Sequence, residues 1–302
     1  MREDPKLFDY RFYADRPDIV WPGGARVAVW VVPNTEFYEL NPAINPLRSA
    51  WPRPVPDVNG YSMRDYGNRV GHMRMLQVLD KYKVRGSVSL STAVCDHHPE
   101  LIEMGKDRGW EFFSHGIYNT RYTYGMDEQQ ERSIIDDAVT SIAQHTGQHC
   151  DGYLTPALTH SEQTMDLFSE AGGIYTCDLF HDDQPTPIRV RSGEKFVSVP
   201  YSMELNDFFA FLVNKYSPRH FVDLIKQSFD RLYAEGGTVM CISLHAYLIG
   251  QPHRIKYLEE ALEYITGHND VWLATGREIA QHYIAHYYDE SLLGASGMQA
   301  QK

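Results

Sequence analysis

The chain has 302 residues, 43% of them apolar, and a formal net charge of −12 at pH 7. That length and apolar content suffice for a large core in one domain or two, while the acidic balance argues against nucleic acid or an anionic membrane as partner, since both need basic patches. No apolar run approaches the roughly 20 residues of a membrane span.

The opening residues Met1 to Lys6 carry no apolar leader, and Cys95, Cys150, Cys177 and Cys241 are scattered without CxxC pairing. Reduced structural thiols in a cytoplasmic protein are therefore expected. Residues 26–32 form a continuous β-branched run, expected to be a strand covered on both faces. A helix is expected over 66–82, with Val70, Met73, Leu76 and Leu79 on one face. Strand 86–91, helix 99–108 and a strand from 110 leading to His115 follow. Helix 127–146 opens on Asp127 as cap, with acidic residues in its first turn. Strand 150–154 precedes helix 161–171, which Gly172-Gly173 stops. Strand 174–178 runs into Asp182-Asp183-Gln184-Pro185. Segments 188–191 and 196–200 flank Ser192-Gly193-Glu194 as a hairpin or paired short strands. Helix 218–234, strand 238–245, helix 255–266, strand 271–274 and helix 276–288 complete the series.

Repeated strand-then-helix units predict an α/β fold, a distorted (β/α) barrel of seven or eight parallel strands, with an open doubly wound sheet as the alternative. The expected organisation is an N-terminal extension (1–24), the barrel (25–288) and a tail (289–302). The proline-rich stretch 41–59 follows the first strand. It is expected either to overhang the carboxyl ends of the strands and cap a site, or to form a surface loop or oligomer contact. The aromatic segments 208–213 and 282–288 read as core or subunit interface.

Reactive side chains of parallel barrels gather at the carboxyl ends of the strands. Here those ends carry Asn34-Thr35-Glu36, Ser114-His115, Thr155-Pro156, Asp182-Asp183-Gln184 and Leu244-His245. A carboxylate to deprotonate water and a histidine to protonate a departing nitrogen suit hydrolysis of an acyl bond. Considered singly, Glu36 could be a solvated loop acid and His115 a hydrogen-bonded strand end. His245 is more telling, because a polar residue closing a buried strand is costly unless partnered. Neither a phosphate-binding glycine loop nor a Gly-x-Ser-x-Gly nucleophile elbow is present.

Five segments in order carry a resemblance. They are Pro33-Asn34-Thr35-Glu36, the run Ser114 to Tyr122, the run Gly152 to Thr159, Asp182-Asp183-Gln184-Pro185, and Leu244-His245 with Gly250 to Arg254. Over residues 20–288 the chain resembles the polysaccharide deacetylase superfamily (carbohydrate esterase family 4), and more closely its cytosolic branch that includes allantoinase-type ring amidohydrolases. The resemblance implies a catalytic base at Glu36, a general acid at His245 and a homo-oligomer, commonly a tetramer. It also implies a metal held by one aspartate and two histidines, and here this sequence departs from the pattern. Phe37 stands at the aspartate position, Asn119 replaces one histidine, and Leu154 or Thr155 stands where an arginine would brace the base. One histidine and one glutamate (His115 and Glu36) rarely make a zinc site. The favoured expectation is therefore no tightly bound metal, with zinc on Glu36 and His115 as the alternative.

The expected function is ring opening of a small cyclic amide, imide or ureide. Glu36, His115 and His245 would be catalytic, His115 and Asn119 would polarise or position the carbonyl, and Asn34, Tyr118, Arg121, Thr155, Asp182, Asp183 and Gln184 would contact substrate. The alternatives are a metal-dependent N-deacetylase of an amino sugar or similar amide, and a non-catalytic ligand-binding protein on the same fold.

Overall fold

Nine consecutive buried residues, Val27–Thr35, form β1 and organise the sheet. The computed structural model describes residues 6–43 and 55–292, so residues 44–54 of the proline-rich insertion and both chain ends lie outside the described residues. Eight further strands follow: β2 (Ser87–Leu90), β3 (Glu111–Ser114), β4 (Gly152–Tyr153), β5 (Tyr175–Thr176), β6 (Thr186–Ile188), β7 (Phe196–Ser198), β8 (Thr238–His245) and β9 (Val271–Leu273). Their order is β6-β7-β5-β4-β3-β2-β1-β8, with β9 also pairing β1. All neighbours are parallel except β6 and β7, which pair antiparallel at Ile188↔Phe196, the expected hairpin-like pair. The sheet is an open, curled, mostly parallel half-barrel, consistent with the expected distorted barrel. The run from β1 to β5 proceeds in sequence order without the reversal that a doubly wound sheet requires.

Strand parity separates two cores. Val27, Val29 and Val31 join Met240, Ile242 and Leu244 in the layer beneath the helices. Ala28, Trp30 and Val32 join Phe113, Leu154, Tyr175 and Cys241 inside the curl. Wholly buried Trp30, Phe113 and Tyr175 fill that interior, so it is packed matter rather than a pore and leaves room only at the strand ends. The N-terminal extension contributes here as well. Trp21 is buried, and its indole N–H donates to the Thr238 carbonyl at 2.9 Å. All four cysteines are free and buried.

The helices are α1 (Val58–Tyr66), α2 (His72–Lys81), α3 (Ala93–His97), α4 (Pro99–Lys106), α5 (Glu128–Thr146), α6 (Thr164–Glu170), α7 (Pro218–Glu235), α8 (Ala246–Ile249), α9 (Ile255–Thr266) and α10 (Gly276–His286). Helix α5 begins on a capping box of Asp127 and Gln130, and α10 on one of Thr275 and Glu278. The short α3 and α8 lack the length that periodicity needs, and the sequence reading did not contain them. Among the described residues no helix is long and apolar enough to cross a membrane.

The helix expected over 66–82 starts earlier and changes winding. A π-helical stretch, Gly67–Gly71, joins α1 to α2. Its glycines are set by contact with α8, since a Cβ on Gly67 would lie 2.7 Å from the Tyr247 nitrogen and one on Gly71 2.0 Å from the Ala246 carbonyl oxygen. At an exposed helix position Gly→Ala stabilises by about 1 kcal/mol. At Gly71 the sign reverses, and Gly71→Ala is expected to cost about 1–3 kcal/mol through overpacking. Urea unfolding checks this; a midpoint at or above that of the parent chain refutes the contact argument.

Candidate active site

The inward parity of the strands continues past their ends. Glu36 follows Trp30, Val32 and Asn34 on the inner side of β1, and His245 follows Cys241 and Ser243 on β8. The register sets Asn34 opposite His245, and His115 lies just beyond β3, its backbone N–H donating to the Leu90 carbonyl at 2.8 Å. Phe37 has the opposite parity and stacks on His97, with centroids 4.1 Å apart, on the helix side.

Glu36, His115 and His245 are each about 5% exposed and share one cleft of about 790 Å³. Glu36 Oε1 is 3.5 Å from His245 Nε2 and 3.8 Å from His115 Nε2. Burial by itself would raise the Glu36 pKa; the attraction and hydrogen bonding of His245, with Arg64 and His115, outweigh it and hold the carboxyl at about 2. Burial would likewise lower His245, yet Asp207 and Glu36 on either side push it up to about 9. His245 Nδ1 faces Asp207 Oδ1 at 2.7 Å, and Asp207 also accepts the backbone N–H groups of His245 and Ile249. The imidazole is thus oriented by a buried acceptor and carries its second N–H toward Glu36.

His115 differs. Its Nδ1 lies 2.8 Å from the Leu154 carbonyl, which can only accept, so the proton sits on Nδ1 and Nε2 presents a lone pair to the cleft. Burial lowers its pKa despite Glu36, keeping the ring neutral.

The remaining expected contacts divide. Asn34, Asn119 and Thr155 line the cleft. Asn34 donates to Ser243 Oγ at 2.8 Å. Asn119 donates to the Tyr38 hydroxyl at 3.2 Å and leaves its Oδ1 buried without a partner. Thr155 gives both its backbone N–H and its hydroxyl to Asp178. Tyr118 and Arg121 stand outside the lining. Arg121 packs over the Tyr118 ring and pairs with Glu39 at 2.8 Å. Asp182, Asp183 and Gln184 are not brought to the cleft either. Arg16 of the N-terminal extension holds Asp182 at 2.5 Å, the Asp183 carbonyl accepts from Val239, and Gln184 donates to the Gly237 carbonyl.

Two charged groups were absent from the sequence reading. Asp207 is placed by Asn206, which bridges to Ser243 of β8; the available signal was an acid directly before the apolar run Phe208 to Leu212, costly if buried unless partnered. Arg64, on the last turn of α1, reaches to 4.0 Å from Glu36 Oε2. The proline-rich insertion does border the site, since Pro42, Ala43 and Val55 line the cleft. Segment 208–213 is divided: Phe208, Phe209 and Leu212 form a cleft wall, while Ala210 and Phe211 are core.

The polysaccharide deacetylase family profile matches residues 60–175. The crystal structure of Puue allantoinase superposes with a TM-score of 0.80 at 28% identity, covering 90% of this chain and 94% of that one. A probable polysaccharide deacetylase from Pseudomonas aeruginosa PAO1 gives a TM-score of 0.80 at 29% identity, covering 90% and 95%. The peptidoglycan deacetylase of Helicobacter pylori is 25% identical over 252 residues, 72% of this chain and 85% of its own length. Over most of its length the chain is similar to these polysaccharide deacetylases and to the allantoinase. The chain is an enzyme, and its buried Glu–His array is consistent with an amide-hydrolysing site.

The metal that the superfamily resemblance implies can be tested against the residues present. Phe37 offers no donor and faces away, and at Asn119 the available ligand atom is the amide oxygen Oδ1, buried without a hydrogen-bond partner, in place of an imidazole. His245 is a protonated donor, and a guanidinium already stands beside Glu36. Among the described residues no group of three or more His, Cys, Asp or Glu is arranged to hold a metal ion. Phe37 and Asn119 thus stand where the resemblance implies an aspartate and a second histidine.

Proposed function

We propose that this enzyme hydrolyses a small cyclic amide, imide or ureide without a tightly bound metal. The observation that carries the reading is the position of one carboxylate oxygen, Glu36 Oε1, within 3.5 Å of a charged donor and 3.8 Å of a neutral acceptor in a single cleft.

His115 Nε2 and Glu36 Oε1 are both acceptors, and their spacing lets one water donate a hydrogen to each. That water then turns a lone pair toward the cleft. Glu36 takes a proton as the water oxygen bonds to the carbonyl carbon. As the tetrahedral intermediate collapses, the C–N bond breaks and His245 Nε2–H passes its proton to the nitrogen. The proton on Glu36 then moves to neighbouring His245, restoring carboxylate and imidazolium. In this scheme His115 holds water; the carbonyl-polarising role expected from the sequence would need a proton on Nε2, which the Leu154 carbonyl keeps on Nδ1.

A ring amide or ureide suits this site because strain or neighbouring electron-withdrawing groups activate its carbonyl, whereas an unactivated N-acetyl group depends more on metal assistance. Apolar walls from Val55, Met63, Leu158, Phe180, Phe208 and Leu212 favour a compact substrate over a hydrated sugar chain. Buried free cysteines and the exposed aromatic stretch of Tyr10, Phe12 and Tyr13 support a cytoplasmic homo-oligomer.

The test is turnover by chelator-treated, metal-analysed protein on hydantoin, dihydrouracil, succinimide and N-acetylglucosamine oligomers. Ring opening of a cyclic compound, unchanged by chelation, is expected. Acetate release that requires zinc would overturn the proposal in favour of a metal-dependent N-deacetylase.

A further inference from the structure

We propose that Arg64 supplies the positive charge that receives the oxyanion formed at the attacked carbonyl. This deepens the ring-opening reading and rests on it, because an attack without a metal still needs a cation or donor where charge develops.

The guanidinium is packed against two aromatic rings. Its carbon lies 3.9 Å from the Tyr38 ring centroid and 4.8 Å from that of Tyr247. Burial opposes its charge, but the tyrosine oxygens and Glu36 outweigh that and keep it protonated. At its edge, Nη1 donates to Met63 Sδ at 3.8 Å. There, Arg64 Nε is buried without a hydrogen-bond partner, and so is Glu36 Oε2, 4.0 Å away.

A structural arginine closes such a gap. Arg85 grips Glu278 at 2.8 and 2.7 Å, and Arg108 grips Asp80 at 2.8 and 2.9 Å. A buried polar atom left without a partner costs about 1–3 kcal/mol, and the Arg64–Glu36 pair leaves one on each side. Both side chains line the same cleft, where the guanidinium can turn an N–H to an atom of the bound substrate. The carbonyl oxygen accepts from the Arg64 guanidinium and does so more strongly once it becomes an oxyanion. By that stage Glu36 has gained the proton of water, so the guanidinium faces a neutral carboxyl and its charge is free for the oxygen.

The α1–α2 contacts explain why the arginine holds this position. Gly67 and Gly71 bring the backbone against Tyr247 and Ala246 of α8, the helix that follows His245. The cation and the proton donor are therefore mounted on elements fixed to one another.

The experiment uses methylphosphonate, a tetrahedral anion, titrated calorimetrically into the full chain carrying Glu36→Gln, which mimics the neutral state of the base. Binding to Glu36→Gln, weakened at least about 10-fold in Glu36→Gln/Arg64→Met and partly retained in Glu36→Gln/Arg64→Lys, is expected for a lost charge-assisted contact. Equal affinity in the three proteins, or no binding to Glu36→Gln, overturns the proposal. Failure of every cyclic amide to turn over would leave this binding difference in place, so the two readings fail separately. On a turned-over substrate, Arg64→Met is expected to lower kcat by about 10²–10³-fold with little change in KM, as for removal of one oxyanion donor, and added methylguanidinium should restore part of the rate in Arg64→Ala. A fall in Tm with kcat per folded molecule preserved would make Arg64 a packing residue and overturn the assignment.

Discussion

Glu36→Gln is expected to lower kcat by about 10²–10⁴-fold, the usual contribution of a positioned general base, while the protein still unfolds cooperatively. Glutamine keeps the shape of the side chain and an oxygen that can accept from His245 Nε2, so the packing around 5%-exposed Glu36 is preserved. What disappears is the ability to take a proton from water. A second effect adds to the first. Glu36 is one of the two anions that raise His245, so its removal also weakens the proton donor. The two changes act on one catalytic unit, and the losses from Glu36→Gln and His245→Gln should not multiply in the double variant. Single-turnover rates on the best cyclic substrate measure this. Activity retained within about threefold would mean another group activates water and would remove Glu36 from the mechanism.

Asp207→Asn carries the next largest effect, and its sign follows from charge. His245 must be protonated to give a proton to nitrogen. With its pKa held at about 9 and Glu36 at about 2, both groups are in their working forms throughout the neutral range. The ratio kcat/KM should therefore be flat near neutrality and fall as pH rises through about 9, where the imidazolium is lost. Asparagine removes the nearer of the two anions that raise His245, so the alkaline limb should move to lower pH. The amide can also turn its NH₂ toward Nδ1 and place the proton on the wrong nitrogen. We expect a loss of about 10²–10⁴-fold at pH 8, smaller at pH 6. A pH–rate profile of the two proteins decides it; an unshifted alkaline limb would show that His245 is not the titrating donor.

The strands were legible because each reads as a compact apolar run whose local pattern determines its state. Residues 238–245 coincide with β8, and Glu36, His115 and His245 could be placed at the site because parity carries a strand's inner face one step beyond its end. Asp207 and Arg64 offered no such handle. Asp207 reaches His245 across 38 residues of sequence through a bridge to β8, and Arg64 reaches Glu36 from a helix expected to begin after it. Contacts of that separation leave no local period to read. The acids at 182 and 183 illustrate the converse. They follow a strand near the expected rim, yet a salt bridge to Arg16, 166 residues away, commits Asp182 elsewhere. The departures from the resembled pattern, by contrast, were readable as plain substitutions, because Phe37 and Asn119 are chemically distinct from aspartate and histidine.

The paired glycines at 67 and 71 have a bearing on how this scaffold could be diversified. Where backbone meets backbone without a side chain between, there is no slack to accommodate a reshaped floor, so changes near α1 and α8 would unseat the acid–base machinery before they altered selectivity. The opposite wall, built from Leu158, Phe180, Phe208, Phe209 and Leu212, consists of side chains that can be exchanged for smaller or larger ones. Libraries seeking altered substrate selectivity belong on that wall.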